Sequence, residues 1–225
     1  KINRIDAREL IENLKSTDKR LLFTGFFCFS SAYLLGFLRW RMLLLATGMD
    51  IPLKRLICSF SGGAFFSIFL PSTIGGDLVR AVDLAGHTQK PKEVIATVFL
   101  DRLSGYIGLV FVIMLALLLG GNLVIDRVVL SSVAVIIIIL AVVLLVLFNS
   151  AIYSRIASFL SSPGAGKIKE TIKNIHQEIH IFRNRRKMII FNLGLSFLIQ
   201  LIAPVSVYFI GLSLGLKINF IYFLV

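Results

Sequence analysis

Long apolar runs separated by short basic stretches set the pattern of this chain. A bilayer crossing needs about 20 consecutive apolar residues. The run from Leu21 to Leu45 supplies them, interrupted near its end by Arg39-Trp40-Arg41. A turn is predicted at Gly48-Met49-Asp50-Ile51-Pro52. Leu56 to Leu70 is apolar but short, rich in Ser and Gly, and stops at Pro71. It is either a thin helix packed among others or a broken, re-entrant one, because irregular backbone at membrane depth needs protein or a cavity around it. Leu103 to Leu119 is a third span, and Gly120-Gly121-Asn122 a tight turn. Leu123 to Phe148 is the most continuous apolar run; having no internal charge beyond its start, it is expected to face lipid. Met188 to Leu216 is the last complete span, with a kink expected at Pro204.

The polar stretches carry a second pattern. After the flexible Ser161-Ser162-Pro163-Gly164-Ala165-Gly166, the residues Ile168, Ile172, Ile175, Ile179 and Phe182 recur at helical spacing among Lys and Arg. Residues 167–187 therefore read as an amphipathic helix on an anionic leaflet surface, where each basic residue contributes roughly 1 kcal/mol. The N-terminal segment, with Ile2, Ile5, Leu10 and Leu14, is a weaker version. The expected fold is all-α: a polytopic membrane bundle with a broken or re-entrant helix at 56–76 and a surface helix at 167–187. One transmembrane domain is expected over 1–225, continuing beyond both ends of the sequence.

Charge sharpens this picture. The chain holds 24 Lys and Arg against 12 Asp and Glu, net +12, and 57% of it is hydrophobic. In a soluble protein such a balance would suggest nucleic acid. Here the basic residues fall between apolar spans, so cytoplasmic loops are the better reading, with no nucleic-acid partner. If 56–70 crosses the bilayer, most basic residues, including the N-terminal segment and the connector 149–187, share the cytoplasmic side. If it dips and returns, that bias is lost. The count thus favours a net crossing and a multi-pass protein of the cytoplasmic (inner) membrane. Cys28 and Cys58 lack metal or disulfide spacing and read as small buried hydrophobes. His176 and His180 stand at i, i+4 without a third ligand, so no metal site and no cofactor are expected.

Three charged clusters interrupt or flank the spans, where charge is costly and marks function. The first is Leu38-Arg39-Trp40-Arg41, in which snorkelling arginines and an interfacial tryptophan are the ordinary explanation. The second is Pro71-Ser72-Thr73-Ile74-Gly75-Gly76-Asp77-Leu78-Val79-Arg80. A helix beginning near Gly76 would put Asp77 and Arg80 on one face and leave backbone N–H groups able to hold a phosphate. Read locally, a plain loop with an N-capping Asp and a local ion pair is the better explanation. The third, Asp101-Arg102-Leu103-Ser104-Gly105-Tyr106, reads alone as a helix start at the interface.

Taken together, Leu38-Arg39-Trp40, Pro71 with Gly75-Gly76-Asp77 and Arg80, and Asp101-Arg102-Leu103-Ser104-Gly105 resemble the lysylphosphatidylglycerol synthase transmembrane, or flippase-like, family. That family includes the membrane half of the bacterial multiple peptide resistance factor. The resemblance covers most of the chain. It implies lipid translocation or lipid-headgroup binding in a bacterial or archaeal cytoplasmic membrane, with a phospholipid, such as an aminoacylated phosphatidylglycerol, as partner. On this reading Arg39, Pro71, Gly75, Gly76, Asp77, Arg80, Asp101 and Arg102 form the headgroup site. The arginines bind phosphate, and the aspartates orient them or meet a cationic headgroup. The alternative is a non-transporting scaffold for a lipid- or glycan-modifying enzyme. Catalysis is not expected, because Asp77 and Asp101 are accompanied by no nucleophile or metal set. A homo-oligomer is left open.

Overall fold

Asp18 opens the first helix: its carboxylate accepts from the N–H groups of Arg20 (2.9 Å) and Leu21 (3.4 Å), donors that a helix start leaves unpaired. The computed structural model describes residues 17–70, 73–120, 127–148, 186–216 and 218–224. Helix α1, Lys19–Ala46, ends where Gly48 takes φ +75°. The Gly48 and Met49 amides return to the carbonyls of Leu45 and Leu44, and Leu44 and Met49 enter one core cluster. This is the glycine-closed helix end that satisfies the last carbonyls. It realises the turn predicted at 48–52.

Helices α2, Leu53–Phe69, and α3, Thr73–Thr88, form an antiparallel hairpin. Arg55 is ion-paired with Asp83, Ser59 Oγ donates to the Arg80 carbonyl at 3.3 Å, and Gly63 lies on Gly76. Partner numbers fall on α3 as they rise on α2, so the chain returns to the level from which it entered. At 1.5 Å per residue the hairpin is about 25 Å deep, roughly half the length of the 30-residue helix that follows. The broken or re-entrant helix expected at 56–76 thus takes the form of an antiparallel helical hairpin. The reason is close packing: methyl groups at Gly63 and Gly76 would collide with the facing backbone, and their absence lets two short helices pair along their length.

Gln89, at φ +57°, closes α3, and α4 opens at Pro91, whose missing N–H costs nothing at a helix start. Helix α4 runs Pro91–Gly120, α5 runs Arg127–Phe148 and α6 runs Arg186–Ser213, passing through Pro204 without ending. A 3-10 turn follows at Phe220–Phe223. The described residues contain no strand. Helices α1, α4, α5 and α6 are long and apolar enough to span a bilayer.

Helix α6 lies antiparallel to α1, with Gly25 against Ser206 and Ile210, and parallel to α4, with Leu100 near Met188 and Gly108 against the Ser196 backbone. Leu43, Ala46, Leu100, Met188 and Ile189 meet at the end where the hairpin opens. Lys19 is thus at the far end and Arg186 at the hairpin mouth. The N-terminal segment and the connector are expected to share a side; Lys19 and Arg186, the described residues nearest to them, stand at opposite ends of the bundle. The connector helix up to residue 185, the N-terminal segment to residue 16, Pro71, His176 and His180 lie outside the described residues. Residues 186 and 187 belong to α6. Of the two cysteines, Cys58 is exposed rather than buried and Cys28 is half-buried; both are free.

The main core sits at the hairpin mouth, where Trp40, Leu44, Leu56, Leu84 and Val94 are almost wholly enclosed. Helix α5 leans on α4 through Leu140, Val143 and Leu144 around Leu103, and most of its other described side chains are exposed, Val133 being buried, as expected of a lipid-facing run.

Candidate functional site: a buried charge network

Helix α4 brings the third cluster into the bundle rather than to an interface. It begins twelve residues before Leu103, so Asp101 and Arg102 lie about 15 Å along it. Adjacent helical residues point about 100° apart, which splits the pair. Asp101 turns inward and is 4% exposed. It accepts from Arg39 Nε of α1 at 2.8 Å and from Arg80 Nη2 of α3 at 2.9 Å. Arg102 turns toward the outer face of α3, where its Nε and Nη2 bond both oxygens of Asp77, the latter at 2.8 Å.

Asp77 closes the network, reaching Arg80 at 3.1 Å across one helical turn. The expected shared face of Asp77 and Arg80 is therefore present. The helix starts at Thr73, however, so Asp77 is beyond its first turn and does not cap it. Arg39 also donates from Nη1 to Ser196 Oγ of α6 at 2.9 Å, and Ser196 Oγ in turn donates to the Asn192 carbonyl at 2.8 Å. Gly105 packs beside this arginine, where a Cβ would stand in ordinary contact, 3.5 Å from Arg39 Nη1.

Arg80 is held differently. Its guanidinium carbon lies 4.7 Å from the centre of the Trp40 ring and 5.6 Å from that of Phe60. Its Nε meets no acceptor among the described residues. The flat cation is thus stacked on aromatic faces while its edge bonds two carboxylates, a use of guanidinium that an ammonium could not copy. Trp40, expected as an interfacial anchor, is instead fully buried. Snorkelling fails for Arg39 as well, since it is 8% exposed and double-bonded inside the bundle.

The five charged residues singled out in the sequence therefore meet, but not as an open cleft lined by all of them. Arg39, Arg80 and Asp101 face one another, and Asp77 is nearly enclosed. Arg102 alone among the five has a side chain well exposed, at 43%. Desolvation explains the arrangement: a charge inside an apolar bundle is tolerated when paired and hydrogen-bonded, so carboxylates and guanidiniums from three helices converge. Gly75 and Gly76 serve the hairpin. Gly75 sits against Leu70, and a methyl on Gly76 would land on Gly63 O and Ser67 Oγ. The close approach they permit is to protein.

Sequence reasoning did not find Ser196 or Phe60, each of which looks like an ordinary member of an apolar run. Two further polar atoms at this level, Asn192 Nδ2 and Trp40 Nε1, are buried without a partner among the described residues. No three His, Cys, Asp or Glu side chains gather among those residues in a way that could hold a metal.

Residues 2–225 match the family described as the lysylphosphatidylglycerol synthase TM region. The chain belongs to this family. Comparison with curated proteins gives no match, and comparison with solved structures gives none either. Family membership together with four long apolar helices makes this a multi-pass membrane protein.

Proposed function

We propose that the chain binds a phospholipid headgroup and carries the lipid between leaflets of the cytoplasmic membrane, without bond-making or bond-breaking chemistry of its own. The observation that supports this best is the charge network. Three arginines and two aspartates from α1, α3 and α4 are drawn together, and α1 and α4 are otherwise apolar enough to span a bilayer. Each charge placed at the centre of a span costs about 3 kcal/mol, so such a cluster marks a polar path or binding site. A re-entrant hairpin beside it supplies a short, separately packed element that could change its pairing during transfer, as broken helices do in transporters.

The positive-inside rule orients the bundle. Among the described residues, Lys54, Arg55, Lys90, Lys92, Arg186 and Lys187 lie at the hairpin mouth, against Lys19, Arg20 and Arg127 at the far end. The mouth is assigned to the cytoplasm, and with it the connector, whose basic stripe would gather anionic lipid there. The sequestration of Arg39, Arg80 and Asp101 favours a second reading, in which the network only locks helices together and the chain is a scaffold for a lipid-modifying partner.

Purified protein in vesicles carrying fluorescent phosphatidylglycerol separates the two. The transport reading expects the inner-leaflet probe to become accessible to dithionite far faster than in protein-free vesicles. Equal rates would leave the scaffold. Cysteine labelling at residue 92 from the cytoplasmic side, and at residue 19 from the opposite side, is the expected topology; the reverse overturns the orientation.

A further inference from the structure

Two apolar grooves meet at Arg102. One, of about 380 Å³, runs between α3 and α4 along Ile74, Leu78, Ala81, Ile95 and Val98. The other, of about 290 Å³, runs between α4 and α5 along Leu103, Ile136, Ile139, Leu140 and Val143. Phe99, Arg102 and Tyr106 line both, because they form a single stripe on α4 at spacings of three and four residues. Helix α4 is thus a ridge with an apolar trough on each side, and the exposed guanidinium and a half-exposed phenol stand on its crest.

We propose that this ridge is a lateral site for an anionic phospholipid with two acyl chains, which sits astride α4 with its phosphate on Arg102 and one chain in each groove. The proposal rests on the lipid-handling reading above and names where, and in which chemical form, the lipid first docks. Charge complementarity selects the headgroup. The network contains three guanidiniums against two carboxylates, and Arg102 is its outward member while keeping its bonds to Asp77. A planar guanidinium presents paired donors to phosphate oxygens, and its aliphatic stem lies along apolar surface. Tyr106 adds an amphipathic ring whose hydroxyl can reach the glycerol ester region while its face borders both chains. Shape selects the tails. A single-chain amphiphile fills one trough, a soluble phosphate fills neither, and a two-chain lipid fills both.

Native mass spectrometry of the full chain in detergent tests this. The probes are dioleoyl phosphatidylglycerol, dioleoyl phosphatidylcholine, the single-chain lyso-phosphatidylglycerol and glycerol 3-phosphate. The diacyl anionic lipid is expected to bind at least about tenfold more tightly than the others. Arg102→Gln is expected to remove that preference for phosphatidylglycerol over phosphatidylcholine. Leu78→Trp and Ile139→Trp, which fill one groove each and leave the charge network alone, are expected to weaken diacyl binding about tenfold while sparing lyso-lipid, which can use the remaining groove. Lyso-lipid or glycerol 3-phosphate binding as tightly as the diacyl lipid overturns the proposal. So does wild-type diacyl binding by both tryptophan variants, or a dimer of this chain that covers the ridge and excludes lipid. A wild-type protein that binds as expected yet moves no lipid between leaflets sinks the transport reading and leaves this site standing.

Discussion

Helices α4 and α5 are neighbours of similar character on paper, yet the bundle treats them oppositely. In the most apolar stretch of α5, 6% of residues are buried; in that of α4, 39% are. The more uniformly apolar helix is the one outside. In water, apolar residues are driven inward; in a bilayer the lipid tails are as apolar as leucine, so burial follows small and polar residues instead. Helix α4 carries Ser104, Gly105 and Gly108 next to Asp101 and Arg102, and these meet α1, α3 and α6. Helix α5 has no glycine, its Ala134 and Ala141 are exposed, and Ser131 and Ser132 are exposed and bonded to their own helix at the Val128 carbonyl. The inside of this protein is therefore held by charge pairs, glycines and aromatic stacking, while its greasiest surface is solvent-facing in the bilayer sense.

The contrast breaks most sharply at Asp101. Asp101→Asn leaves two enclosed guanidiniums without their shared carboxylate, and a loss of about 3–5 kcal/mol is expected, read as a large drop in unfolding temperature in detergent. A small drop would mean that the network is more open to solvent than its burial indicates. Next comes Gly76→Ala, which forces α2 and α3 apart at their tightest contact. Backbone cannot yield as a side-chain tip can, so about 1–3 kcal/mol is expected. A pair of cysteines at residues 55 and 83 is expected to cross-link through a short bifunctional reagent in the otherwise unchanged chain and poorly with Gly76→Ala; unchanged cross-linking would argue against the hairpin. Smallest is Ile138→Ala on α5. Ile138 is 61% exposed, so unfolding should change by less than about 0.5 kcal/mol. A multi-kcal loss there would show that another chain covers α5.

Much of the architecture was legible because span length and hydropathy are local properties. The runs beginning at Leu21, Leu123 and Met188 were each located to within a few residues of α1, α5 and α6. The start of α4 was not, since Lys92, Glu93, Asp101 and Arg102 bracket the largely apolar residues 94–100 with charge and made the span seem to begin only at Leu103. The hairpin was only half legible. Its glycines and serines pointed to close packing, but charge counting favoured a crossing, because a count over loops presumes the number of crossings that it is used to infer. Arg39, Asp77, Arg80, Asp101 and Arg102 were all picked out as misfits in apolar surroundings. Trp40 was misplaced because tryptophan beside arginine is as common at a membrane interface as in a stacked pair.

By itself, then, the sequence determined that this is a helical membrane protein, where most of its spans lie, and which charges are out of place, since each of these depends on residues adjacent in the chain. Only the tertiary structure decided that α2 turns back, that Asp101 serves both Arg39 and Arg80, and that Arg102 stands outside between two grooves. Those facts depend on which helices touch, and that is settled by glycine contacts and ion pairs between residues far apart in the chain.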